Sequence, residues 1–377
     1  MKKKLAVIGA SIALKPLILK AKEMGIETHC FAWDKGEDSI CKKFSDYFYP
    51  ISIIEKEQIL EVCKQINIDG ITSIVIELAI PTVCYVAEEM GLIGNRYADT
   101  MMTRNKYKAR QAFLKNGVNS PRFAIAQEKI NPDLTGFKYP LIVKPTDRSG
   151  SIGVMKVDRK GDLQAAILRA QQLSINGQVI IEEYVSGLEV SVETISWKGT
   201  HYNIMLTDKE TTGAPYFVEI AHHEPSELRE DIQEKIKAEA RKALTAVNYS
   251  YGASDTEIKV TENGEVYVIE VNARLGGDFT HEMLRLSTGY DILKGVIDVA
   301  LNQFEEPVFP ISKYSGVCFL SKETEYLEKI IENRKNDPDI VDTEIYNDDL
   351  RYLQNNFDRS GYLIYQSSQR RKWGNKS

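Results

Sequence analysis

Residues 255–274, DTEIKVTENGEVYVIEVNAR, decide how the chain is read. Apolar residues recur at every second position on both sides of Asn263-Gly264, the dipeptide that most readily holds two consecutive residues at positive φ. The pattern predicts a β-hairpin. With Asn263 and Gly264 as a two-residue loop, Glu262 pairs with Glu265, Ile258 with Ile269 and Glu257 with Glu270. One face then turns Ile258, Val260, Tyr267, Ile269 and Val271 towards a core. The other carries Glu257 beside Glu270, with Asn272 and Arg274 further along the same side.

Carboxylates directly opposed on a hairpin have Cβ atoms about 5 Å apart, and like charges there are destabilising. A positive partner is expected between them. Hard oxygen ligands around a small cavity suit Mg²⁺ or Mn²⁺, whose remaining ligands come from water and a substrate phosphate. An arbitrary hairpin would splay two solvated glutamates, so the surrounding chain has to decide. Arg274 and the turn Leu275-Gly276-Gly277-Asp278, where backbone can approach closely, favour an anionic group in transfer.

Upstream, residues 139–145 (YPLIVKP) read as a strand carrying Lys144. The Gly/Ser-rich loop that follows, Asp147 to Val154, has free amides that can fold over phosphate oxygens. Residues 179–185 read as a strand that bends at Gly187 towards Glu189, leaving the backbone of Glu183 to Val185 to pair with a planar base and Glu189 to accept from ribose hydroxyls. A helix over 105–116 carries Lys106, Lys108 and Arg110, which by themselves read as a wet surface. A helix over 161–175 takes Asp162 as its cap, and 207–224 reads as a long loop entering a strand. Its adjacent His222 and His223 face opposite sides, so they do not chelate one metal together. Helices are expected over 226–247 and 281–302, and a mixed α/β tail over 308–377.

At the start of the chain, strands over 4–9, 26–32 and 71–76 alternate with helices over 15–25, 55–65 and 81–90, the order of a parallel, doubly wound sheet. Gly9-Ala10-Ser11 stands where a dinucleotide pyrophosphate would need Gly-x-Gly-x-x-Gly, which argues against NAD. The chain of 377 residues allows two or three domains, and its 43% hydrophobic content is ordinary for globular folds. A net charge of -6 with dispersed basic residues argues against nucleic acid, and no apolar run is long enough to span a membrane. The apolar start after Met1-Lys2-Lys3-Lys4 mimics a signal peptide but leads into an amphipathic helix from Lys15. Five scattered cysteines without a CxxC pair suit a reducing, cytoplasmic setting.

In order along the chain stand a lysine helix (Asn105-Lys106), IVKP with Lys144, the Gly/Ser loop, EEYVSG followed by Glu189, and the TEIK/IEVNAR hairpin. Together they resemble the ATP-grasp superfamily over about residues 1–310. The resemblance implies an α/β fold: an N-terminal doubly wound, Rossmann-like domain (1–96), an ATP-grasp domain (97–307, with a lid at about 121–185) and a small C-terminal α+β domain (308–377). It implies ATP as ligand with Mg²⁺ or Mn²⁺, two ions per site. Matched residue by residue, Lys106 and Lys144 are its phosphate lysines and residues 148–154, with Ser149, Gly150, Ser151 and Gly153, its phosphate lid. Glu182 is the residue near the adenine amino group, Glu183, Tyr184 and Val185 are the base contacts, and Glu189 is the ribose ligand. Glu257, Glu270 and Asn272 are the metal ligands, and Arg274 acts with Lys144 at the transferred phosphate.

Within the superfamily, residues 81–92, 211–226 and 269–278 look most like bacterial L-amino-acid ligases and other carboxylate-amine ligases, with biotin carboxylase and carbamoyl phosphate synthetase sharing the hairpin. The function implied is amide or peptide formation through an acyl phosphate, from small carboxylate and amine substrates, with a homodimer as the expected assembly. The alternatives are an ATP-dependent carboxylase of biotin carboxylase or purine-biosynthesis type and a non-catalytic nucleotide-binding regulator. Substrate contacts are expected at Glu219, His222, Arg274, Gly276, Gly277 and Asp278. Ser254-Asp255 departs from the histidine-threonine pair expected before the TE of that family, which bears on the substrate pocket.

Overall fold

The computed structural model describes residues 2–127, 132–150 and 152–373. Its first sheet is parallel: β1 (Lys4–Ile8), β2 (Glu27–Phe31), β3 (Tyr47–Tyr49) and β4 (Gly70–Thr72) lie in the order β3-β2-β1-β4. Near-continuous apolar strands such as Leu5-Ala6-Val7-Ile8, buried on both faces, require helices on both sides. The helices Lys15–Glu23, Lys56–Ile66 and Ile80–Met90 supply them. The fourth strand is half the length expected over 71–76, because Val75 takes a positive φ and the chain turns into a 3₁₀ turn at Glu77–Ala79.

A second, antiparallel sheet holds β5 (Phe123–Ala126), β6 (Leu141–Pro145), β7 (Met155–Val157) and β8 (Val179–Glu183) in the order β5-β8-β6-β7. The helix Lys160–Leu173 closes its small core over Leu141, Val143, Val179 and Ile181. Asp162 lies inside that helix and takes a hydrogen bond from Arg159, which holds the cap position.

The third sheet has eight strands, β9 (Leu188–Trp197), β10 (Thr200–Thr211), β11 (Glu219–Glu224), β12 (Gly252–Val260), β13 (Val266–Asn272), β14 (Tyr314–Leu320), β15 (Ile340–Ile345) and β16 (Gly361–Ser367). Their order is β13-β12-β9-β10-β11-β14-β16-β15, so the three C-terminal strands extend the sheet that carries the hairpin. The segment 207–224 does lead into a strand, β11, but its loop is only residues 212–218, because β10 runs on to Thr211. The helix Glu230–Ala246 packs its apolar stripe on Val190, Val192, Ile258 and Val268. The opposite face of β9 therefore presents Glu189, Ser191 and Glu193. The single helix expected over 281–302 is two, Thr280–Thr288 and Ile292–Ala300, because Gly289 caps the first at φ 76° and Asp291 caps the second through its side chain. The helix Ile292–Ala300 joins Leu5 and Val7 of the first sheet, and Leu17 of the helix Lys15–Glu23, to Ile195 and Ala253 of the third in one continuous core.

Candidate active site

The predicted hairpin forms, and Glu257 stands opposite Glu270 as the sequence implied. The register towards the tip differs. The turn has three residues, Glu262 to Gly264, closed by Thr261 N–H donating to Glu265 O, and β13 compensates with a bulge between Val268 and Glu270. Ile258 consequently faces Val268 instead of Ile269. The core face is Ile258, Val260, Val266, Val268 and Val271, while Tyr267 and Ile269 leave it and Ile269 joins the acids.

Those acids line a cleft of about 310 Å³ between the second and third sheets. It gathers Lys106, Lys144, Ser149, Gly150, Glu182, Glu183, Tyr184, Val185, Glu189, Glu219, His222, Glu257, Glu270, Asn272, Arg274, Gly276, Gly277 and Asp278, almost every residue singled out from sequence. Ser151 lies outside the described residues. Gly153 is not on the lining; it turns at φ 78° where a Cβ would press on Pro145 at 3.0 Å.

Lysines neutralise both opposed glutamates. Lys106, first residue of the helix Lys106–Lys115 that Asn105 caps through Lys108 N–H, places Nζ 2.7 Å from Glu270 Oε1. Burial penalises its ammonium, but Glu270 outweighs that and holds its pKa above the ordinary value. Lys209, on β10, reaches Glu257 Oε1 at 3.2 Å and Glu189 and Glu219 at 3.8 Å each. Although burial opposes the charge, these acids hold Lys209 charged, its pKa well above the usual lysine value, and Lys209 in turn keeps Glu257 low against burial. Asn272 donates its amide N–H to Asp255 Oδ2 at 3.3 Å, turning its carbonyl oxygen away from that acid. Glu257, Glu270 and this amide oxygen are hard donors in adjacent register positions, a set that fits an octahedral divalent ion keeping several water or phosphate ligands. Among the described residues no group of three or more His, Cys, Asp or Glu side chains is gathered at metal-binding distance, so any such shell draws on Asn272 and on ligand oxygens.

At the other end of the cleft, Glu182 is 2% exposed and pinned between Arg110 Nε and Lys144 Nζ, each 2.7 Å from one of its oxygens. Burial alone would raise its pKa; the two cations keep it below normal. Arg110, read from sequence as part of a wet helix face, is 1% exposed and also donates to Ile269 O at 2.6 Å. The amides of Glu183 and Tyr184 are not free for a base: they donate to Arg122 O and Pro140 O at 3.0 Å each, because β8 is an interior strand. Glu189 accepts from Lys259 at 2.9 Å.

The third group surrounds Asp278. His222 Nε2 lies 3.1 Å from its Oδ2, and Arg359, from the C-terminal segment, grips both of its oxygens at 2.8 and 3.0 Å while lying over the Phe319 ring. Against burial, His222 and Arg359 hold Asp278 far below the ordinary carboxylate range. His223 points away, to Tyr365 Oη at 2.9 Å. Sequence reasoning missed Arg110, Lys209, Arg359 and Glu77, a half-buried acid beside the cleft whose pKa is raised by burial and by the charge of Glu270. It also passed over Glu193 and noted Asp255 only as a departure. Strand alternation with Glu189 and Glu257 would have pointed to both.

Residues 137–282 match the ATP-grasp domain family. Alanine–anticapsin ligase of Bacillus subtilis (strain 168) is 29% identical over 310 residues, 73% of this chain and 65% of that protein, so the chain aligns with just under two thirds of its length. The crystal structure of an L-amino acid ligase from Bacillus licheniformis superposes with a TM-score of 0.79 at 22% identity, covering 98% of this chain and 94% of that one. N5-carboxyaminoimidazole synthetase from Staphylococcus aureus, solved with ADP, superposes at 0.77 with 16% identity over 98% and 95%. The family match covers residues 137–282, which hold most of the ordered cleft motifs, and the fold of the whole chain is that of these ligase and synthetase structures.

Proposed function

We propose that the chain is an ATP-dependent carboxylate-amine ligase that forms an amide or peptide bond. The observation that carries this reading is the clustering of cations and paired acids in one cleft between two sheets, where mutually repelling ATP and carboxylate must meet. Lys106, Lys144 and Arg274 offset that repulsion and hold negative charge on the transferred phosphoryl oxygens. A carboxylate oxygen of the acid bonds to the γ-phosphorus as the bond to ADP breaks. The amine, after its ammonium gives one proton to solvent, bonds through nitrogen to the acyl carbon; inorganic phosphate leaves with that carboxylate oxygen and takes the second nitrogen proton.

Glu257, Glu270 and Asn272 would hold Mg²⁺ or Mn²⁺, which when bound neutralises the phosphates. Glu189 takes the ribose, and the second sheet serves as a lid that closes over the nucleotide and keeps water from the acyl phosphate. Glu182, with both oxygens engaged, anchors Lys144 at the phosphates. Alanine–anticapsin ligase, by its name, joins an amino acid to a second small molecule, and the same substrate class is assigned here. Glu219, His222, Gly277 and Asp278 line the substrate end.

The test is phosphate release with pairs of amino acids and small carboxylates, followed by product mass. Passage of oxygen-18 from an organic carboxylate into phosphate, together with an amide product, supports the ligase. Release driven by bicarbonate without amide formation would replace it with a carboxylase.

A further inference from the structure

Glu193 and Asp255 form a second pair of opposed carboxylates, one row inward from the metal pair. The sheet register places Asp255 between Glu193 on β9 and Asn272 on β13, as it places Glu257 between Ser191 and Glu270. Two residues along a strand span about 7 Å, so the inner pair lies one side-chain layer from the phosphate end. Both line the cleft, and their exposures are 2% and 5%.

The two rows differ in charge balance. Glu257 and Glu270 each have a lysine within 3.2 Å. Among the described residues the inner pair has one cation, Arg274, whose Nη1 is 3.6 Å from Asp255 Oδ2, and two amides, Asn272 Nδ2 at 3.3 Å from the same oxygen and Gly276 N at 3.4 Å from Glu193 Oε2. Asp255 Oδ1 is buried without a hydrogen-bond partner, a costly state for a carboxylate oxygen that nothing else fills. Gly276 leaves the space open, since a Cβ there would stand 2.6 Å from Glu193 Oε1.

We propose that Glu193 and Asp255 form the subsite that captures the ammonium group of the amine substrate beside the activated carboxyl. An ammonium is satisfied by a few acceptors in any arrangement, which this pair offers. A divalent ion would need about six oxygens and would face the Arg274 guanidinium. The subsite rests on the ligase reading and assigns its second substrate to specific residues.

The test separates capture of the amine from activation of the acid. Hydroxylamine, uncharged at neutral pH, intercepts acyl phosphates as hydroxamates without needing an ammonium subsite. Wild type, Glu193→Gln and Asp255→Asn are assayed with ATP, Mg²⁺ and the twenty L-amino acids as acid and amine, scoring dipeptide against hydroxamate, with thermal melts as a folding control. The subsite requires each variant's ratio of dipeptide to hydroxamate to fall at least tenfold, with a raised KM for the amine. A proportional loss of both products, or a ratio equal to that of wild type, overturns it while leaving the ligase reading intact. A wild-type protein that makes neither product defeats that reading and the subsite with it.

Discussion

Arg110 Nε lies 2.7 Å from Glu182 Oε1, and both side chains are buried out of reach of water. Removing Arg110 takes one of two cations from Glu182 and leaves Lys144 at 2.7 Å, so the cost falls short of a stranded charge, at about 2–3 kcal/mol. Arg110→Met should therefore lower stability by that order in denaturant titration. Lys108→Met, on the exposed side of the same helix, should stay within about 0.5 kcal/mol. Equal effects would mean that the pair contributes nothing.

Glu270→Gln keeps the shape of the side chain and removes the charge that Lys106 pairs with. Phosphate release should fall by about 100-fold or more while circular dichroism is retained. Chelation of divalent ions should silence the wild-type protein, and added Mg²⁺ or Mn²⁺ should restore it. Turnover in the presence of excess chelator would remove the metal from the mechanism.

Glu224 is fully buried beneath the cleft floor, accepting from Ser287 Oγ at 2.7 Å and Thr207 Oγ1 at 3.0 Å, and burial pushes its carboxyl up to about 7 from the usual 4.5. Between those values the folded state binds a proton that the unfolded chain has released. Stability should thus fall as pH rises through that window, by roughly 3 kcal/mol in all, and level off above it. Glu224→Gln should flatten the profile between pH 5 and about 7 in denaturant melts. An unchanged slope would assign it to other groups.

Gly187 joins the second sheet to the third at φ 148°, where a Cβ would stand 2.0 Å from Val260 O. Gly187→Ala should cost roughly 2–4 kcal/mol, because backbone must yield. Gly177→Ala, with open space at φ 71°, pays only for its backbone and should cost less. The difference is read from paired thermal melts.

The hairpin and its acid pair were legible because strand alternation and like-charge repulsion are local statements about neighbouring residues. Its outer register was not, since Asn263-Gly264 suits both a two-residue turn and the tail of a three-residue one. Gly289 signals the break in the helix expected over 281–302, but apolar periodicity resumes at Ile292 and masks it. Arg110 looked solvated because what covers it, Glu182 and Ile269 O, comes from strands 72 and 159 residues away. Lys209 and Arg359 belong to no local motif; their roles exist only once β10 and the C-terminal segment reach the cleft.

The bulge between Val268 and Glu270 uncouples the two ends of the ribbon. Its distal end sets its own phase through the turn, and the irregularity absorbs the difference before the acids are reached. A lineage, or an engineer, can therefore lengthen, shorten or redecorate the exposed tip without rotating Glu257 and Glu270 out of alignment. Tolerance to variation should change abruptly at that one step along the strand.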